Sequence, residues 1–308
     1  MKPDCDSTRP TEIEADWVAT TMCQYHCAYC SARKDHELES VKMIQPERWV
    51  EAFRRTGVRW HLHVTGGEPL LHPWALKLFP LLSEEHELSL NTNLPPQPAR
   101  KIGRLIVPRN LRYIHVGVHP EERAAHGGPG ELRDTIDVLT SIGHRVFPSC
   151  VMSPLSFKWL TQEIQRYRED YGIVLIPKAF RGIVQVGDRR IQYPAGYTDS
   201  QCEQFRALVE ISYSHYREWI EGVVPTVNPF LDQLFVGIGF PGFTGKICRA
   251  GVDFVRISPT GEVQRCDRHA PLGNILDGTF ARAERPAPCN DSGCPYFCFR
   301  YLVTTHVC

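Results

Sequence analysis

From residue 16 to about residue 222 the chain alternates short β-branched or apolar runs with longer amphipathic stretches, and this alternation limits the architectures open to it. Six runs read as strands: DWVATT, WHLHVT, LSLNTN, RYIHVGV, HRVFPSCVM and IVLIPKAF, each bounded by turn residues. Between them the helical period is plain. Pro46 sits where a first turn tolerates proline, Val50 and Phe53 share a face, and Gly57 is placed to end that helix. Leu132, Ile136 and Leu139 form one stripe closed by Gly143, and Leu160, Ile164 and Tyr167 form another closed by Gly172. A longer amphipathic helix is expected over 200–222. Strands alternating with helices at this interval predict parallel βα units, arranged as an open doubly wound sheet or a partial barrel.

Beyond residue 222 the pattern changes. Residues 223–247 are rich in Gly, Pro and Phe without helical period, so they are expected to connect two domains. The second domain, 248–308, contains one clear hairpin, VDFVRISPTGEVQRC, turning at Pro259-Thr260-Gly261. A barrel-like domain over 1–222 with a small appendage suits a chain of 308 residues. Basic and acidic residues balance at 35 each, which argues against a phosphate-tracking surface and against nucleic acid as a partner. No apolar run approaches the roughly 18–20 residues needed to span a bilayer, and the start MKPDCDSTRP lacks the apolar core of an export signal. The expectation is a soluble, cytoplasmic protein without membrane contact.

In a reducing cytosol twelve cysteines are better explained by metal ligation than by disulfides. They gather in two places: Cys23, Cys27 and Cys30 directly after the first expected strand, and six more between 248 and 308. Three thiolates in CQYHCAYC can hold three corners of a cubane cluster and leave the fourth iron open, but taken alone they fit a zinc loop equally well. The second signal is Gly66-Gly67-Glu68-Pro69, which follows the second expected strand about 35 residues later. Its glycines permit close backbone approach, and Glu68 offers a carboxylate to a cation.

Together the two motifs resemble the radical S-adenosylmethionine (SAM) superfamily. That resemblance implies a partial (βα)6 barrel, a [4Fe–4S] cluster on Cys23, Cys27 and Cys30, and SAM chelating the open iron through its amino and carboxylate groups. It also places Tyr29 near the adenine, has the loop of Gly66, Gly67, Glu68 and Pro69 grip the SAM ammonium, and makes Asn91 and Asn93, flanking Thr92, candidates for the ribose or carboxylate. Turn capping is the alternative for the asparagines. His115, His119, Glu121 and Glu122 follow the fourth strand and face the mouth where barrel chemistry occurs, and His63 and Lys178 hold similar positions.

Cys248, Cys266, Cys289, Cys294 and Cys298 resemble the twitch and SPASM auxiliary-cluster domains, in which a hairpin and a following helix or loop supply thiolates for a second cluster. Two arrangements stay open. Either Cys248 and Cys266 are both ligands, or Cys266, Cys289, Cys294 and Cys298 hold the iron and Cys248 is a free thiol beside it. With only 22 residues before Cys23, a small substrate is expected over a peptide. The closest resemblance is to the neomycin C epimerase type, which implies SAM-derived hydrogen abstraction from an amino sugar and hydrogen return from a cysteine, here Cys248. A dehydrogenase of an aminoglycoside or cyclitol and a peptide maturase are the alternatives. A polycationic amino sugar would draw on His119, Glu121, Glu122 and Asp188, and an electron donor such as flavodoxin or ferredoxin is implied.

Overall fold

The computed structural model describes residues 12–30, 44–220, 234–266 and 271–294. All six expected strands are present: β1 (Glu12–Thr20), β2 (Arg59–Gly66), β3 (Glu87–Thr92), β4 (Leu111–Gly117), β5 (Val146–Met152) and β6 (Ile176–Ala179). The helices are α1 (Pro46–Arg55), α2 (Ala75–Ser83), α3 (Pro96–Leu105), α4 (Pro120–Ala125), α5 (Gly128–Ile142), α6 (Phe157–Tyr171) and α7 (Asp199–Ile220). Pro46 opens α1, and α5 and α6 close on Gly143 and Gly172 in the left-handed conformation that glycine adopts without a steric penalty. Further strands follow as β7 (Gly182–Val186), β8 (Arg189–Tyr193), β9 (Ile247–Cys248), β10 (Phe254–Ile257), β11 (Glu262–Gln264), β12 (Pro271–Asn274) and β13 (Ala287–Pro288).

One sheet of nine strands runs β12-β11-β10-β1-β2-β3-β4-β5-β6, parallel from β10 through β6. The expected C-terminal hairpin is thus β10–β11, and it is laid against β1 with Glu14 opposite Phe254 and Trp17 opposite Ile257. A boundary before Cys248 therefore does not separate two sheets. No helix follows α7 among the described residues, and Cys298 lies outside them.

Strand alternation sorts the two faces. Ile13, Ala15 and Trp17 of β1 are buried toward the helices, where Trp17 meets Trp49, Phe53 and Phe79 at ring separations of 4.9, 5.5 and 6.1 Å. Such pairs add about 0.5–1.5 kcal/mol each beyond the area they bury. The other face is polar. Glu12 on β1 accepts from Arg112 Nη2 on β4 at 3.1 Å, and His63 Nδ1 on β2 pairs with the Tyr113 hydroxyl on β4 at 2.9 Å. In a flat sheet β1 and β4 would stand about 14 Å apart, three strand spacings. Contact between their side chains shows the sheet curled into the partial barrel expected.

In that lumen His63 Nε2 faces Glu14 at 3.3 Å, His61 pairs with Ser89 at 2.7 Å and with Arg112 at 3.2 Å, and Asp16 pairs with Arg256 at 3.5 Å. The ring nitrogens of His61 and His63 are thus already partnered, with a guanidinium at one of them. This is a self-satisfied polar column beneath the site.

Candidate active site at the carboxyl ends of the strands

The first strands and the cysteine loop are joined by backbone. Thr20 C=O accepts from Gly67 N–H at 2.9 Å and Met22 C=O from Glu68 N–H at 2.6 Å, so pairing of β1 with β2 continues past the strand ends. A side chain at Gly66 would place its Cβ 2.1 Å from Thr20 O, and one at Gly67 2.2 Å from Met22 O. The glycines are required for contact between the two loops; closeness to a ligand, the reason read from the sequence, comes second. Pro69 then opens a short 3₁₀ turn, Pro69–Leu71.

Glu68 points inward. It is fully buried and accepts from Leu70 N–H at 2.9 Å, the Thr92 hydroxyl at 2.6 Å and Asn93 N–H at 2.6 Å. Burial raises its carboxyl above the usual range, and the three donors with the Arg123 guanidinium pull back, leaving it at about 7. The folded state therefore holds the Glu68 proton more tightly than the unfolded chain does. Stability from this group is fully present below pH 4.5 and is lost as pH rises through about 7, on the order of 3 kcal/mol in all. Glu68→Gln should flatten the pH dependence of urea unfolding of the iron-free chain between pH 5 and 8. An unchanged slope would show that Glu68 is not the titrating group.

Cys23, Cys27, Cys30, Tyr25, Tyr29, Gly66, Gly67, Asn91, Thr92 and Asn93 line a cavity of about 330 Å³ together with His115, His119, Lys178 and Arg181. Tyr29 O–H meets His119 Nδ1 at 2.6 Å. Burial lowers His119 to about 4, so the imidazole is neutral at pH 7 and its Nδ1 accepts a hydrogen bond from the Tyr29 hydroxyl. His115 is buried against Ser149 at 2.7 Å. Asn91 donates to Thr65 Oγ1 at 3.2 Å. Glu121 and Glu122 line a neighbouring pocket of about 120 Å³ that shares Cys27, Tyr29 and His119 with the cavity. Asp188 lies in the exposed turn of β7–β8, and His63 lies in the lumen below.

The residues suit an iron–sulfur cluster. Tyr25 N–H points at Cys23 Sγ from 3.4 Å, the geometry that steadies a thiolate. Among the described residues the metal-ligand atoms that all fall within 4.8 Å of one another belong to Glu14, His61 and His63, not to three thiols. Burial pushes Cys27 up to about 12, so iron loading must displace protons.

At the other end Cys248, Cys289 and Cys294 are buried in one apolar group with Phe243, Ala250 and Phe254, and Cys248 does not line the cavity. Ala250 N–H faces Cys248 Sγ and Asp291 N–H faces Cys289 Sγ, each at 3.5 Å. Arg265, beside Cys266, donates to the carbonyls of Cys248 at 3.0 Å, Ala250 at 2.7 Å and Ala287 at 2.6 Å, tying that segment to this group. Arg123 and Gln24 escaped the sequence reading. Arg123 is 1% exposed and lies over the Tyr25 ring, its carbon 5.6 Å from the centroid, but nothing in EERAA distinguishes it from a surface arginine.

Residues 17–149 match the family model of the radical SAM superfamily. A probable GTP 3′,8-cyclase of Archaeoglobus fulgidus is 39% identical over 79 residues, 25% of this chain and 26% of that protein. Streptococcus suis SuiB, in a crystal structure bound to S-adenosylmethionine, superposes with a TM-score of 0.54 at 12% identity, covering 88% of this chain and 66% of that one. Native anSMEcpe with bound AdoMet gives 0.53 at 15% identity, covering 87% and 78%. These two likenesses are of fold, and the match to the cyclase spans about a quarter of it. Residues 17–149, under half of the chain, thus form a region that matches the radical SAM superfamily, a family that works with a [4Fe–4S] cluster and SAM.

Proposed function

We propose that the chain oxidises a polar small molecule by radical SAM chemistry, with a second iron–sulfur cluster as electron acceptor. The observation that carries this reading is the burial of Cys248 with Cys289 and Cys294 in one group away from the cavity. When bound, the first cluster and SAM supply a radical able to take hydrogen from an unactivated C–H bond. Cys23, Cys27 and Cys30 would hold that cluster, and the loop of Gly66, Gly67, Glu68 and Pro69 with Asn91 and Tyr29 would shape the SAM end of the cavity. Cys248, Cys266, Cys289 and Cys294 would hold the second cluster, Cys298 falling outside the described residues. An external donor of the flavodoxin or ferredoxin class would supply the electron for SAM.

The charges of the two sides bear on the substrate. Glu121 and Glu122 line the pocket beside Tyr29 and His119, while Lys178 and Arg181 line the cavity. This supports an amino sugar or aminocyclitol presenting an amine at one end over a molecule cationic throughout. Epimerisation by Cys248 is the second reading, favoured by one observation: burial raises the Cys248 thiol and keeps its hydrogen in place.

Incubation with aminocyclitols and amino sugars in deuterated water, with SAM and reductant, separates the two. Oxidation gives 5′-deoxyadenosine and a product lighter by two hydrogens without deuterium. One deuterium at an inverted carbon would assign Cys248 as donor and overturn oxidation, and absence of 5′-deoxyadenosine would sink both readings.

A further inference from the structure

Asn93 is held at both its backbone and its side chain. Its backbone N–H donates to Glu68 Oε2 at 2.6 Å, and its C=O accepts from Nη2 of the buried Arg123. Its side-chain Oδ1 accepts from Gln24 Nε2 at 2.7 Å, while Nδ2 faces Gln24 Oε1 at 3.3 Å and Cys23 Sγ at 3.7 Å. The next residue, Leu94, is 1% exposed and has φ of 60°, a left-handed conformation uncommon for leucine. Glu68 and Arg123 thus fix the backbone of Asn93, and Gln24 orients its carboxamide with Nδ2 toward a cysteine sulfur.

Capping a strand end needs none of this apparatus, since the backbone of Asn93 is already satisfied without its side chain. The amide orientation also has a chemical reason. A thiolate accepts and does not donate, so the donor end of the amide belongs toward Cys23, and the reciprocal pair with Gln24 locks that choice. A hydrogen bond to a ligand sulfur withdraws electron density and favours the reduced, more negative cluster.

We infer that Asn93, clamped by Glu68 and Arg123 and oriented by Gln24, is a positioning residue that raises the reduction potential of the cluster on Cys23, Cys27 and Cys30 through its N–H···S bond to Cys23. Glu68 then acts on the cluster through the backbone of Asn93. This inference rests on the radical SAM reading above, and its test keeps the two apart.

The full chain is reconstituted anaerobically as wild type, Asn93→Asp and Gln24→Leu, and the potential of the cluster whose EPR signal responds to added SAM is measured by redox titration. Asn93→Asp puts a charged oxygen in place of the donor at nearly the same shape, so its shift is read against Gln24→Leu, which adds no charge and, at a half-buried site, frees the amide to rotate. Both potentials should move negative, Asn93→Asp further, with iron content as in wild type. Unchanged potentials at full iron content would overturn the inference, as would unchanged potentials with weaker SAM binding, which would make Asn93 a SAM ligand instead. Should Asn93→Asp fail to take up iron, Gln24→Leu decides alone. A wild-type chain with no SAM-responsive cluster counts against the underlying reading.

Discussion

Replacing Cys23, Cys27 and Cys30 together by alanine should take 5′-deoxyadenosine formation to the level of a no-enzyme control. On the proposed reading each thiol would hold a separate corner of the cluster, and no other cysteine among the described residues lines that cavity. The protein should stay folded, because the loop lies beyond the end of β1 and the helix-facing core of Trp17, Trp49, Phe53 and Phe79 is untouched. Iron should fall only in part, to about four per chain if the C-terminal cysteines hold a cubane. Full retention of SAM cleavage would remove the radical reading, whereas loss of all iron would move the fault to the second cluster.

Gly67→Ala should lower SAM cleavage by roughly a hundredfold, the scale expected when reacting groups are displaced by about 1 Å. The new methyl carbon would lie 2.2 Å from Met22 O and 2.6 Å from Thr21 O. Both are backbone atoms, so no side chain can swing aside; the two loops must part, carrying the cysteine loop away from the strand ends. Gly130→Ala is the matched control. It lies in α5 with nothing within 4 Å of the added carbon, and it should keep activity and gain about 0.5–1 kcal/mol of stability. A Gly67→Ala protein with wild-type KM and kcat would show that loop contact does not set the site.

The parallel strands were readable because each carries β-branched or apolar residues between turn signals, and α1, α5, α6 and α7 because their stripes keep a 3.6-residue period. Helices α2 and α3 were not. Pro80 sits inside α2, and α3 begins in the proline-rich run Pro95–Pro98, signals that locally argue against helix and are overridden by packing of Leu78, Phe79 and Ile102 on the sheet. The pairing of β10 with β1 was hidden for another reason: a hairpin is encoded locally, but its attachment to a strand 240 residues earlier is a matter of register across the chain. At the site, residue types gave the cysteines and the glycine loop. The inward turn of Glu68 and the clamp on Asn93 depend on Arg123, whose burial no local pattern announces.

The seat of β10 beside β1 also sets an order of events during synthesis. Once Gly66 has emerged β1 can pair with β2, but its other edge stays open until Ile257 follows, about 190 residues later. At roughly 5–20 residues per second that interval is about 10–40 s. For that time the strand leading into Cys23 presents unpaired N–H and C=O groups, the arrangement that invites pairing with another nascent chain. Its alternating residues Glu12, Glu14 and Asp16 place a carboxylate at every second position, so two such edges repel one another while they wait.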